Sequence, residues 1–181
     1  MDKALSDSDI LDIMPEATII LSPKLKQLKQ LPRLPLVILY TTAPNFGHWT
    51  LLHNVLDERG RPTIEFFDSY GMKPDDELRF ISPEYRQETA QTKKELVRLL
   101  FGTGLSNISY NEYSFQAPTH PDGTPVNTCG RWIILRYLAG VGAAPSLDEF
   151  RRIAYRWRDP DEWAVVMTSQ LEDSPARLAW G

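Results

Sequence analysis

The sequence predicts an α+β domain in which a small sheet packs against helices, one of them deeply buried. Three observations carry this. Short apolar stretches at 36–40, 49–56 and 63–67 have the length and composition of strands, and turn residues join the last two. Residues 129–139 (CGRWIILRYLA) are apolar on nearly all sides, as in a helix at the middle of a domain. The order is helix, strands, helix, strand, central helix, further helices, and no linker interrupts it. Residues 1–181 therefore read as one domain, long enough to bury a core.

The elements follow in order. Ser6 to Ile13 reads as a short helix capped by Ser or Asp and ended near Met14-Pro15. Leu36 to Tyr40 (LVILY) reads as a buried strand. Trp49–Leu56 and Thr63–Phe67 form a predicted hairpin around Asp57-Glu58-Arg59-Gly60-Arg61-Pro62. Pro74 to Ile81 reads as a helical turn. Thr89 to Phe101 reads as a helix stopping at Gly102, and Asn107 to Phe115 as a strand. Gln116 to Thr128 is a loop with three prolines and a glycine. Cys129 opens the central helix, with Gly140 and Gly142 closing it. Ser146 and Glu149 stand in capping-box spacing at the start of a helix to Trp157. Asp161 to Thr168 reads as a final helix or short strand, and the last ten residues as loosely held.

The net charge of −4 gives no overall pull toward nucleic acid. The one local exception is 23–35, where Lys24, Lys26, Lys29 and Arg33 occur within a stretch free of acids. It reads as a solvated rim or a weak DNA contact. No apolar run is long enough for a membrane span, and the acidic N-terminus is not a secretory leader. The start at Met1 reads as that of a complete or nearly complete chain. A single cysteine excludes an intrachain disulfide and fits a reducing compartment.

That cysteine stands where chemistry is favoured. Cys129 lies at a helix mouth, with Asn127 or Thr128 in reach of the cap position. Unpaired N–H groups and the positive dipole end there favour a thiolate, and they are placed to hold an oxyanion. Gly130 lets backbone approach a substrate. With a turn centred near residues 58 and 59, His48 falls opposite residues 68 to 70, which includes Asp68. Directly opposed Cβ atoms are about 5 Å apart, within imidazole–carboxylate reach. From spacing alone the pair reads equally as an incidental histidine and a surface aspartate. Gln116 ends a strand and offers an amide donor. His53, on the opposite face of His48's strand, and His120, in the loop, compete for the role of base. Three His and one Cys form no closed zinc spacing.

Taken in order, Gly47-His48-Trp49, Phe66-Phe67-Asp68-Ser69, Gln116 and Thr128-Cys129-Gly130-Arg131-Trp132 resemble the adenain-like cysteine proteases. That group includes the adenovirus maturation protease and the ubiquitin-like-protein-specific proteases. The resemblance spans about residues 36 to 140. It implies a papain-like-superfamily fold of the adenain type, with a small mixed sheet against a central helix. It implies His48 as base, Asp68 as its orienting acid, Cys129 as nucleophile, and Gln116 with the Cys129 backbone as oxyanion hole. Trp49 would wall a narrow cleft admitting small residues such as glycine, and reads equally as a core tryptophan. No metal or organic cofactor is implied. The interval from Gln116 to Cys129 is longer than the family's usual one, and Asn127 is the fallback donor.

The resemblance further implies a monomeric endopeptidase that cuts viral capsid or core precursors in host cytoplasm, nucleus or virion. The runner-up is an isopeptidase that removes ubiquitin or a similar modifier. An acetyltransferase of the same fold and a degenerate binding module complete the alternatives. A covalently linked activating peptide is excluded, because Cys129 is the one thiol.

Overall fold

The computed structural model describes residues 3–57, 59–105, 108–140 and 146–173. It is a mixed α/β arrangement. Among the described residues, five strands form one mixed sheet in the order β1-β2-β3-β4-β5: β1 (Thr18–Leu21), β2 (Leu36–Ala43), β3 (Phe46–Leu56), β4 (Pro62–Asp68) and β5 (Ile108–Tyr110). The three central strands are antiparallel neighbours, and β1 and β5 add to the edges in parallel.

Both faces of the sheet are covered, so its central strands read as continuous apolar runs rather than alternating ones. Val37, Leu39, Trp49, Leu51 and Phe67 face one core with α4 (Cys129–Gly140), α5 (Leu147–Ala154) and α6 (Pro160–Asp173). Leu36, Ile38, Tyr40, Leu52, Ile64 and Phe66 face the other. That second core is closed by 3-10 turns at Ser22–Gln27 and Asp76–Phe80 and by α3 (Glu95–Phe101). The first core centres on Phe67, Phe115, Trp132, Phe150 and Trp163, whose rings meet at tilted or edge-on angles.

Several expectations are met at the level of single residues. Ser6 caps α1 (Asp7–Ile13) in a capping box with Asp9, and Ser146 caps α5 in one with Glu149. The hairpin forms around the expected turn. The central helix is buried along almost its whole length, including Arg131 and Arg136.

Other expectations need correction. The helix expected over 89–101 forms only as α3, because residues 89–94 are turn and loop, and a separate short helix, α2 (Pro83–Glu88), precedes them. Ala90 takes a positive φ of 55°, and the buried Gln91 amide donates to Thr41 O and Oγ1 while accepting from Ser22. Asp75 Oδ2 then accepts from Val97 N–H in the first turn of α3. Tertiary hydrogen bonds thus outweigh helix propensity. The strand expected over 107–115 is three residues long, because the Asn111 side chain turns to bond the end of β4. The 161–168 segment is helix, not strand. Strand β1 was not foreseen. Gly142, and the last ten residues apart from 172 and 173, which end α6, lie outside the described residues.

Helix α4 is fastened to the hairpin by a buried ionic cluster. Arg136 donates through Nε and Nη2 to the two oxygens of Glu65 at 2.6 and 2.9 Å, and His53 Nε2 meets Glu65 at 3.0 Å. Burial pushes His53 toward its neutral form, whereas its two partners hold Glu65 below the usual carboxylate range against the effect of burial. Removing the cation alone leaves a buried carboxylate with only the His53 imidazole beside it. Arg136→Ala should cost roughly 3–5 kcal/mol in urea unfolding, and Arg136→Met with Glu65→Leu should recover most of that loss.

Candidate active site

The site is built from the open end of the β3–β4 hairpin and the mouth of α4. The hairpin register pairs Thr50 with Asp68. That register lies within the window the turn count gave, at its far end, so Asp68 sits diagonally from His48, two positions off. An offset of two keeps both side chains on one face. His48 Nε2 meets Asp68 Oδ1 at 3.1 Å. Both are buried, His48 at 7% exposure and Asp68 at 0%.

The backbone beside them has no slack. A β-bulge opens the β2–β3 pairing near Thr41–Ala43. A Cβ on Gly47 would fall 2.1 Å from the Tyr40 carbonyl oxygen, so only glycine fits next to His48. Past the end of β4, the Tyr70 ring stacks on the imidazole with centroids 4.6 Å apart. Tyr70 N–H donates to Asp68 Oδ1 at 2.7 Å. Asn111 Oδ1 accepts from Asp68 N–H at 3.1 Å, and its Nδ2 donates to Asp68 O and Tyr113 O. The acid is thus held by its side chain and by both its peptide groups.

Cys129 is the first residue of α4 and is buried as a free thiol. Gly130 seats the helix mouth against the start of β3, where a Cβ would meet Leu5 at 3.0 Å and Trp49 at 3.3 Å. Close packing thus accounts for this glycine, and it is not among the residues that line the cleft. Trp49 does line the cleft, and its Nε1 donates to Leu5 O at 3.0 Å. The helix mouth is further tied down by Asp161 near the start of α6. Asp161 Oδ1 accepts from Thr128 Oγ1 and from Trp132 Nε1, and Oδ2 accepts from Ala117 N–H.

Burial opposes a charge on His48. The Asp68 carboxylate and its hydrogen bond, helped by a hydrogen bond and charge from Cys129, outweigh that and hold the imidazole well above its ordinary range. With Nε2 committed to Asp68, Nδ1 is the ring nitrogen left for the thiol.

These groups open onto a cleft of about 1180 Å³ lined by His48, Trp49, Tyr70, Gln116, Asn127 and Cys129. Exposed Leu11, Leu21, Phe46 and Phe80 form its apolar walls. Gln116 lies in this wall with its Nε2 donating to Tyr70 Oη at 3.1 Å and Val126 O at 2.7 Å, and its Oε1 accepting from Ser69 Oγ. An oxyanion would have to draw one N–H away from those partners. Asn127 Nδ2 makes a longer bond of 3.4 Å to Pro125 O.

The competing histidines are elsewhere. His53 belongs to the Glu65–Arg136 cluster, near Gly140 at the far end of α4. His120 lies in the 117–128 loop and does not line the cleft. Lys24, Lys26, Lys29 and Arg33 are exposed, the first two on the 3-10 turn after β1. No helix among the described residues is long and apolar enough to cross a membrane.

Sequence reasoning missed four residues here: Tyr70, Glu77, Asn111 and Asp161. Their composition signals are those of ordinary turns and helix starts. Glu77 is notable because His48, Asp68 and Glu77 are the one group, among the described residues, offering three ligand-type atoms within 4.8 Å of one another. A cation or a shared proton would each satisfy that closeness.

No family model matches the chain. It is 36% identical over 141 residues to Uncharacterized protein V9 of Sputnik virophage, and the alignment covers 75% of each chain.

The folded imidazole of His48 holds its proton more tightly than an unfolded one. Its contribution to stability is therefore full below the ordinary histidine pKa and lost as pH rises through the raised folded value. Ring-proton NMR should find one histidine titrating well above the ordinary range, and Asp68→Asn should bring it down. Asp161→Ala should destabilise the fold by roughly 3 kcal/mol in thermal unfolding, since the buried Thr128 and Trp132 donors and the part-buried Ala117 N–H all lose their acceptor.

Proposed function

The chain belongs to the family of Sputnik virophage protein V9, and we propose that it is a cysteine peptidase with Cys129 as nucleophile, His48 as base and Asp68 as orienting acid. One observation carries this reading. A buried imidazole bonds a carboxylate at 3.1 Å and lies close enough to the sole thiol for that thiol to help raise its pKa, and the imidazole and the thiol both line one large cleft. A structural cysteine needs no such neighbours.

The chemistry follows from the placement. Cys129 stands at the N-terminus of a twelve-residue helix, where backbone N–H groups and the dipole favour negative charge. His48 takes the thiol proton, and the imidazolium is stabilised by Asp68. The thiolate attacks a peptide carbonyl, and the oxyanion is met by the Cys129 N–H and an amide of Gln116 or Asn127. His48 then protonates the leaving amine. Water, deprotonated by the imidazole, hydrolyses the thioester and restores the thiol. No step requires a metal or organic group.

The triad and its oxyanion donor, in the order His, Asp, Gln, Cys, together with a mixed sheet against a buried helix, support placing the fold with the adenain-like proteases. The substrate is a polypeptide. The cleft is large, and Leu21, Phe46 and Phe80 give it apolar walls suited to an extended segment. Trp49 beside Cys129 favours small residues at the scissile bond. A virophage relative supports a viral setting, and hence maturation cleavage of a structural precursor over isopeptidase action.

At about pH 6 a free thiol is almost wholly protonated and alkylates slowly. Iodoacetamide should modify Cys129 rapidly at that pH, and His48→Ala should slow it by at least about 100-fold. Labelling as slow as that of a free thiol and indifferent to His48→Ala would sink the triad. A panel of glycine-containing peptides beside ubiquitin and SUMO fluorogenic conjugates separates endopeptidase from isopeptidase, and Cys129→Ser should abolish either activity.

A further inference from the structure

Asp68 has an oxygen that the triad does not use. Oδ1 serves His48 and the Tyr70 N–H, whereas Oδ2 is buried without a hydrogen-bond donor. Glu77, from the 3-10 turn at Asp76–Phe80, brings a carboxylate oxygen within 4.8 Å of one on Asp68, and its own Oε1 is buried and likewise without a donor. Glu77 is 4% exposed. Two adjacent buried carboxylates, each with a bare oxygen, repel when both are charged, and one proton between them satisfies both.

We propose that Glu77 is held as a carboxylic acid whose O–H donates to Asp68 Oδ2, making it a positioning residue that fixes Asp68 against His48. The groups facing Glu77 set the balance. Burial disfavours its charge most, and the Asp68 carboxylate from β4 adds to that. His48 from β3 and Arg79 on its own turn oppose. The net effect pushes Glu77 up to about 8. Tyr70, stacked on His48, is itself pushed up to about 12, mainly by burial and next by Cys129.

A cation is the rival occupant. It is disfavoured because His48 Nε2 points at Asp68 Oδ1 rather than outward, so the imidazole has no free lone pair to give on that side. The neutral acid also has a use. A second negative charge beside the imidazolium would hold its proton too tightly for transfer to a leaving group.

The consequence for catalysis rests on the triad reading, but the proton is measurable without any activity. Infrared spectra of the full chain should show a protonated-carboxyl C=O band at neutral pH that disappears with a midpoint near 8 and is absent in Glu77→Gln. Because the folded value lies above the unfolded one, stability from this group should fall as pH rises toward that midpoint, and Glu77→Gln should remove that slope. Iodoacetamide labelling of Cys129 should fall about 10-fold in Glu77→Ala, and Glu77→Gln, whose amide can still donate to Oδ2, should restore most of it.

Absence of the band in the wild type, or its persistence in Glu77→Gln, overturns the proposal. So does stoichiometric zinc binding at neutral pH, by calorimetry, that Glu77→Gln abolishes. If the band behaves as expected but labelling ignores His48→Ala, the shared proton stands and the peptidase reading falls. Should Glu77→Ala fail to fold, the infrared comparison of wild type with Glu77→Gln still decides.

Discussion

The register between β3 and β4 is the constraint on which the site depends. Side chains on a strand alternate faces, so a slip of one residue would put His48 and Asp68 on opposite sides of the sheet. The pairing of Thr50 with Asp68 is fixed at both ends. At the closed end, Asp57 accepts from Arg59 N–H and Arg61 N–H, with Gly60 at a positive φ of 72°. At the open end, Asn111 grips Asp68 through N–H and carbonyl. Between them, both faces of the hairpin are buried, so a slip of one residue would swap its side chains between the two packed cores. The geometry of one imidazole and one carboxylate is thus guaranteed by the whole hairpin.

The second positional demand is that the mouth of α4 arrive at that same end. Two kinds of contact enforce it. Small size does so at Gly130, where Leu5 and Trp49 leave no room for a Cβ, and at Gly140, which a Cβ would bring to 3.1 Å from the His53 ring. Charge does so through Arg136–Glu65 and through Asp161, which ties Thr128, Trp132 and the loop after Gln116 to α6. A helix that slid by one turn would lose both packing and ion pairing. The cost of burying Arg136 and Glu65 is therefore offset by specificity of placement.

What the sequence made legible follows from how local each signal is. Capping boxes at Ser6 and Ser146, the hairpin turn, and the all-round apolar character of 129–139 are encoded within a few residues, and each element appears where its pattern lies. The break between α2 and α3 is encoded far away, in Thr41 and Ser22, which bind Gln91. The shortening of β5 is encoded in Asp68, which Asn111 prefers to a continued ladder. His48, Asp68 and Cys129 stood out because few chemistries use those residue types at a hairpin end and a helix mouth. Tyr70, Glu77, Asn111 and Asp161 did not, because Tyr, Asn and acids in turns are ordinary until a fold aims them at one point.

A buried His–Asp pair beside a thiol raises a problem that the surrounding residues answer. An acid strong enough to hold an imidazolium is also able to hold it too long, and a second carboxylate nearby would make this worse. The protein nonetheless buries Glu77 against Asp68. That choice is coherent only if the extra acid is neutral, since a neutral O–H orients Asp68 without adding charge. Burial makes it neutral, and the same packing leaves His48 only 7% exposed. Tyr70 acts in the same sense, covering the imidazole with a ring face while its N–H, rather than a cation, meets Asp68. The electrostatics of the site are thus governed less by the number of charges than by which of them the fold keeps dry.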